Sequence, residues 1–374
     1  MENSVLTLGP KNGKSEFSAP EEGIKGLAPR GSGAVRYRLV RTCSILEKRF
    51  PAVQLTLDHK DLAQGATVVS ALLKRSATTL PVLSNLLIDA EGDRAVFLGT
   101  DLESHVRVSV PAKVDGGAAK VTVPADKLAE LVQLLPAGME ITLKDEGGQV
   151  HITSKAAEYK LVTLPADDYP NWMPDTPLTK FHITQKQLKT LIDAVSYALP
   201  AKDHRRVLMG ILLELRDDQL RMTATDGKKL SRMSVPVSEV EGEKAMRSVV
   251  AGKLLMDLKR TLSDEGSVAV EIGERQAAFL VDNVEYRTNV IEGKYPDCDA
   301  VIPKEFPFEV RLNRDQFQLA ARRAGVVSED RNKSIILKFA DNNCEFSSMA
   351  ADIGTFYGQL GVEYQSNPLE VPFS

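Results

Sequence analysis

The stretch Leu220–Pro236, LRMTATDGKKLSRMSVP, decides the fold. Leu220, Met222 and Ala224 alternate with other residues before Asp226 and Gly227, and Leu230 follows the pair. Apolar alternation around an Asp-Gly pair is the pattern of two antiparallel strands joined by a tight turn, because glycine enters positive φ without steric cost. A related stretch precedes it at Val96–Pro111, where Thr100 and Asp101 lead into Val106, Val108 and Val110. A fainter one follows at Cys344–Leu360, around Asp352. The three aspartates fall 125 and 126 residues apart, so one module is expected three times in tandem.

Outward from these hairpins, each module divides into similar halves. In module one, from Val53, VQLTLD reads as a strand. Asp58 then caps a helix that carries Leu62, Ala66, Val69 and Leu73 on one face and ends at Lys74 and Arg75. VLSNLLIDA and AVFLGT are strands leading to Asp101. The second half repeats the plan with KVTV, a helix opened by Pro124, and the strands EITLKD, QVHITS and EYKLVTLP. Module two begins near Phe181, with Thr184 and Gln187 as a capping box for a helix bearing Leu188, Leu191, Ile192 and Val195. VVAGKLLMDLKRTL supplies its second helix, and LPADDYPNW and IEGKYPDCD, around Pro170 and Pro296, match 126 residues apart. Module three opens with the strand FEVRL at Phe308 and a helix capped by Asn313. Ser374 falls on Ser248 one period back, so a counterpart of Val249–Lys304, about 50 residues, is expected to be missing, with apolar surface and strand edges left exposed.

The expected fold class is therefore α+β, with tandem domains at 53–177, 178–304 and 305–374, each of two β-α-β-β-β units and the third reduced to its first half. Residues 1–52 are expected to be a flexible leader outside the repeat. Thirteen of residues 1–35 are Gly, Pro or Ser, and residues 30–49 carry six Lys or Arg against Glu47 alone. That basic end reads as a solvated tail or a translated upstream segment ahead of a nucleic-acid arm.

A chain of 374 residues with 43% hydrophobic and 26% charged residues suits a soluble protein of two or three domains. Net charge −4 argues against a surface basic all over. Cys43, Cys298 and Cys344 are too few and too scattered for a disulfide framework or zinc cluster, which points to a reducing cytoplasm. No apolar run has the length of a membrane span. There is no phosphate loop, HExxH or GxSxG motif, and the five histidines, His59, His105, His151, His182 and His204, are dispersed as surface or strand residues. Asp101, Asp226 and Asp352 occupy equivalent turns in separate modules, which favours turn capping over a shared metal cluster. The helix windows 59–75, 125–135, 185–198, 252–262 and 313–325 hold twelve Lys or Arg against six Asp or Glu, opposite in sign to the whole chain. If those helices share a face, that face suits a polyanion held through its phosphates; basic residues on ordinary solvated helix faces are the plain alternative.

TLPVLSNLL (Thr79–Leu87), GTDLE (Gly99–Glu103), TLPADDYPN (Thr163–Asn171), ATDGKKL (Ala224–Leu230), GKYPD (Gly293–Asp297) and NPLEVPF (Asn367–Phe373) resemble the bacterial DNA polymerase III β subunit, the sliding clamp. The resemblance runs in order from about Val53 to Ser374 and implies a DNA-clamp fold. It implies a non-catalytic processivity factor without cofactor or metal, a head-to-tail homodimeric ring around duplex DNA. The partners it implies are the polymerase III catalytic subunit, the clamp loader and other proteins carrying a clamp-binding peptide, in a cytoplasmic, nucleoid-associated setting with no membrane partner. For DNA it points to Lys74, Arg75, Lys202, Arg205 and Arg206. For the partner peptide it points to Leu208, Thr225, Gly227, Lys228, Lys229, Leu230, Pro296 and Val301, with Leu208, Pro296 and Val301 as an apolar floor. Where the family has an aromatic or His and then Arg after the glycine, this chain has Lys228 and Lys229, and Lys229 keeps the charge without the planar fork. The dimer contact it implies sets Tyr159 and Leu161 against Val326 and Val327. A truncated or regulatory clamp paralogue that binds partners without closing is the first alternative, and a carboxylate-dependent nucleic-acid enzyme the second.

Overall fold

The computed structural model describes residues 54–74, 80–155, 157–328 and 334–373. The leader and Arg75 lie outside the described residues. Five α-helices occur among the described residues: α1 (His59–Leu73), α2 (Ala125–Leu134), α3 (Gln185–Ser196), α4 (Gly252–Leu258) and α5 (Arg314–Gly325). The apolar spacing that predicts α1 is the spacing it buries, with Leu62, Ala66, Val69 and Leu73 all inside. At α3 the capping box forms in both directions between Thr184 and Gln187. Asn313 caps α5 by accepting from the backbone of Asp315 and Gln316. Asp58 stands at the N-cap of α1, but its side chain makes no capping bond. α4 is shorter than its sequence suggests, since Val249, Val250 and Ala251 continue the strand Met246–Ala251.

The halves of a repeat exchange their leading strands. Gln54–Asp58 pairs with Glu140–Asp145 of the second half, while Ala119–Pro124 crosses back to pair with Asn85–Glu91. The second repeat does the same: Pro177–Thr184 pairs with Ser267–Gly273, and Met246–Ala251 with Gly210–Arg216. α1 packs on α2 and α4, and α3 packs on α4, so these four helices form a contiguous row. One apolar core runs through both repeats, from Leu62 and Phe97 to Phe181 and Phe279.

The sheets also join across the repeats. Val284–Thr288 pairs antiparallel with Ser104–Val108, which fuses strands of both repeats into one nine-stranded sheet. At the seam the hydroxyls of Ser104 and Thr288 lie 3.1 Å apart and Glu285 stands opposite Arg107.

The third repeat has its own four-stranded sheet, in the order Gly354–Gly361, Asn343–Ala350, Ile335–Ala340, Leu369–Phe373. Leu337, Phe339, Phe346 and Tyr364 make its core. The strand predicted at FEVRL is reduced to one bridge, Arg311 to Glu363. Its equivalents in the first two repeats pair with second-half strands, and such strands have no counterpart among the described residues of the third. For the same reason α5 buries only Ala324, whereas α3 buries Leu188, Leu191, Ile192 and Val195. No described helix is long and apolar enough to cross a membrane.

Candidate nucleic-acid interface and partner pocket

The central turn is built by two side chains. Thr225 Oγ1 donates to Lys229 O at 2.6 Å and accepts from Gly227 N at 3.0 Å, while Asp226 Oδ1 accepts from Lys228 N and Lys229 N at 2.9 and 2.7 Å. The hydrogen bond from Lys229 N is the chief reason that the Asp226 carboxyl sits below its ordinary range. Gly227 takes φ +87°, the conformation that favours glycine. Thr100 and Asp101 repeat every one of these contacts, with Leu102 in the place of Gly227 at φ +74°. Asp352 does not: its tighter turn closes through Ile353 N to Ala350 O at 3.2 Å, without a carboxylate cap. The aspartate turn is therefore a property of two repeats. Among the described residues no group of three or more His, Cys, Asp or Glu could hold a metal ion.

Beneath the central turn, a short 3-10 helix at Arg206–Met209 drives Leu208 into a cluster with Leu212, Val249, Tyr295 and Cys298, against which Leu230 and Ile291 pack. Tyr295 donates its hydroxyl to Thr223 O at 3.3 Å, and burial pushes its pKa up to about 12. The predicted floor is thus only partly assembled. Leu208 is fully buried and lies under the floor rather than on it, while Pro296 is exposed and Val301, 67% exposed, stands outside the cluster. Thr225 is buried, and Gly227, Lys228 and Lys229 are exposed at the rim, Lys229 Nζ lying 3.4 Å from Asp226. Tyr295 and Cys298 are absent from the predicted set, although the match of LPADDYPNW to IEGKYPDCD aligns Tyr295 with Tyr169. Tyr169 does the same work in the first repeat, donating to Leu98 O within a cluster of Val82, Leu83 and Leu87.

The described DNA-facing bases are exposed, and three of the four, Lys74, Arg205 and Arg206, are paired with carboxylates. Lys74 ends α1 with its Nζ 3.9 Å from Asp126, and Lys202 is exposed. Arg205 chelates Asp203, and Arg206 reaches Glu103 in the first repeat at 2.6 Å. A Cβ on Gly227 would come within 3.5 Å of Arg205 Nη2, so this loop flanks the central turn. Lys253 pairs with Asp101, Lys259 with Asp193 and Lys189 with Asp264, which tempers the positive helix charge expected from the sequence.

Tyr159 and Leu161 are half-buried on Glu158–Val162, the edge strand of the five-stranded sheet. Val326, 75% exposed, and the half-buried Val327 follow α5. The second pair lies in no strand but follows α5, and Gly354–Gly361 is the outer strand of the sheet on which α5 packs.

Three family models match the chain: the N-terminal domain of the DNA polymerase III β subunit at residues 53–173, the central domain at 182–297 and the C-terminal domain at 299–374. The β sliding clamp of Pseudomonas aeruginosa is 28% identical over 323 residues, covering 86% of this chain and 88% of that protein. The β sliding clamp of Escherichia coli K12 is 28% identical over 325 residues, covering 86% and 87%. A crystal structure of the P. aeruginosa clamp bound to griselimycin superposes with a TM-score of 0.80 at 27% identity, covering 86% and 87%. The Bacillus subtilis clamp gives 0.80 at 25% identity over the same shares. The chain belongs to the DNA polymerase III β-subunit family, the bacterial sliding clamps.

Proposed function

We propose that this chain acts as a processivity factor, a non-catalytic ring around duplex DNA that tethers the replicative polymerase and other proteins carrying a short clamp-binding peptide. The observation that carries the reading is the seam between the repeats, Val284–Thr288 against Ser104–Val108. Glu158–Val162 is the first-repeat equivalent of Val284–Asn289, and Gly354–Gly361 the third-repeat equivalent of Ser104–Pro111; both are edges in a single chain. A second copy, placed head to tail, repeats the internal seam at each junction and removes both edges. In that arrangement Tyr159 and Leu161 approach Val326 and Val327, and a loader protein must open the ring.

Lys74, Lys202, Arg205 and Arg206 supply sequence-independent phosphate contacts, and such a ring needs no base readout. The peptide lies over Leu230 and the Gly227 turn, with Leu208 and Tyr295 supporting it from below and Lys228 and Lys229 at the rim. Work on DNA places the protein in the cytoplasm, on the nucleoid. The alternative, a clamp relative that binds partners without closing, is favoured by the exposed Leu319 on α5.

Light scattering of the wild type and of a Tyr159→Ser, Leu161→Ser variant, together with retention on nicked circular DNA in the presence of the loader protein, tests this. A dimer retained on circles and released by linearisation is expected, with the variant monomeric and unretained. A wild-type monomer that binds clamp-binding peptide selects the non-closing relative.

A further inference from the structure

Each guanidinium of the 202–206 loop already holds a carboxylate. Arg205 donates from Nε and Nη2 to the two oxygens of Asp203 at 3.1 and 2.9 Å, and its backbone N–H donates to Asp203 Oδ1 at 2.8 Å. Arg206 Nη2 donates to Glu103 Oε1 at 2.6 Å, and Glu103 belongs to the Asp101 turn of the other repeat. The Asp203 side chain is only 12% exposed, so it is fixed in place, whereas Glu103 is exposed and makes one charged contact. The hydrogen bonds from Arg205 hold the Asp203 carboxyl well below the usual carboxylate range, so it stays ionised at any working pH.

This pairing changes what a phosphate contact yields. Binding of cations to duplex DNA is driven by release of condensed counter-ions, nearly one for each phosphate neutralised. A guanidinium that leaves a carboxylate for a phosphate uncovers a negative charge, and that charge recruits a cation of its own. Net release then falls toward zero. When the guanidinium leaves the phosphate again, a partner stands ready, which lowers the barrier to moving along the backbone. We propose that Asp203 and Glu103 are built-in counter-ions that limit the grip of Arg205 and Arg206 on DNA, so that the loop holds the duplex without arresting it. This rests on the DNA face assigned to that loop under Proposed function.

The test uses the full chain and a short fluorescein-labelled duplex of arbitrary sequence, titrated by anisotropy between about 50 and 200 mM salt. The variants are Asp203→Asn, Glu103→Gln, the two together, and Arg205→Glu with Arg206→Glu as control. Gln keeps the one oxygen that Arg206 uses, whereas Asn keeps the acceptor for Arg205 N and Nε but sets an amide N–H2 against Nη2, so the exposed Glu103 gives a readout even where Asp203→Asn disturbs the loop. Each neutral variant is expected to bind more tightly and to steepen the slope of log K against log salt by up to about 0.9, the double variant by about 1.8. Its gain over wild type is then roughly 12-fold larger at the low-salt end than at the high-salt end. Wild-type affinity and slope in the neutral variants, with weakened binding in the arginine control, overturns the inference and leaves the DNA face standing. Tighter binding with an unchanged slope overturns it too, since the gain is then not counter-ion release. An arginine control that binds like wild type removes the DNA face itself.

Discussion

His105 ties stability to pH at the seam between the repeats. It lies on Ser104–Pro111 opposite Arg287 of the second repeat, is buried, and stacks on Trp172 with ring centroids 4.8 Å apart. Its Nδ1 is buried without a hydrogen-bond partner among the described residues, and Arg287 lies over the other ring, 5.8 Å from the Trp172 centroid. Burial is the main cause that lowers its pKa from 6.5 to about 4; Arg107 and Arg287 push the same way and Glu285 opposes them. The folded state therefore holds the ring neutral, while the unfolded chain takes up a proton as pH falls through 6.5. Stability contributed by the neutral ring is whole above that pH and is lost as pH drops toward 4. Between pH 7 and pH 5 the loss is about 2 kcal/mol.

Urea unfolding followed by Trp172, the chain's single tryptophan, reads this seam directly. His105→Leu places at this position the residue that the second repeat has at Leu230 and should flatten the dependence over that interval. The carboxyls of Asp203 and Asp226 are held below their ordinary range, so their losses begin at lower pH and do not mimic the effect. If His105→Leu loses as much stability between pH 7 and pH 5 as wild type, the buried neutral ring is not what the seam depends on.

Leu208→Ala should cost about 2–3 kcal/mol by urea denaturation, the low end for a buried leucine because half-buried Leu230 and Ile291 can settle inward. By calorimetry it should weaken a clamp-binding peptide more than Lys228→Ala, whose side chain sits at an exposed rim. Gly227→Ala, at φ +87°, should lower stability by about 1 kcal/mol, and Leu102→Gly, at φ +74°, should raise it by a similar amount; opposite signs in thermal unfolding check the pair. Reversing Arg206 alone, since Arg205 flanks the Gly227 turn, should weaken retention on circular DNA at moderate salt while leaving peptide affinity within twofold, which separates the two surfaces.

The sequence carries local information well and partnership poorly, and particular residues show why. A capping box is an agreement between Thr184 and Gln187, three residues apart, so it is readable without the rest of the chain. The repeat spacing is readable because Thr100-Asp101 and Thr225-Asp226 each satisfy four backbone contacts within their own turns. Asp352 misleads because a matching letter at a matching interval does not reveal that its turn is one residue shorter. The pair Arg206–Glu103 links residues 103 positions apart, and no local pattern announces it. Strand exchange is hidden for the same reason: alternation tells which face of a strand is buried, never which strand lies beside it.

Phe308–Leu312 makes that limit physical. Phe308, Val310 and Leu312 alternate as well as Leu55 and Leu57 do in the first repeat, yet Leu55 and Leu57 sit in a five-residue strand and the third-repeat segment keeps one bridge. What differs is the neighbour: Gln54–Asp58 is held by Glu140–Asp145 from the opposite half, and no such strand flanks Arg311 among the described residues. Because each half lends its first strand to the other, neither half can complete its own sheet. That interdependence makes a sheet edge a place where a strand from elsewhere is expected, as Ser104–Val108 of the first repeat receives Val284–Thr288 of the second.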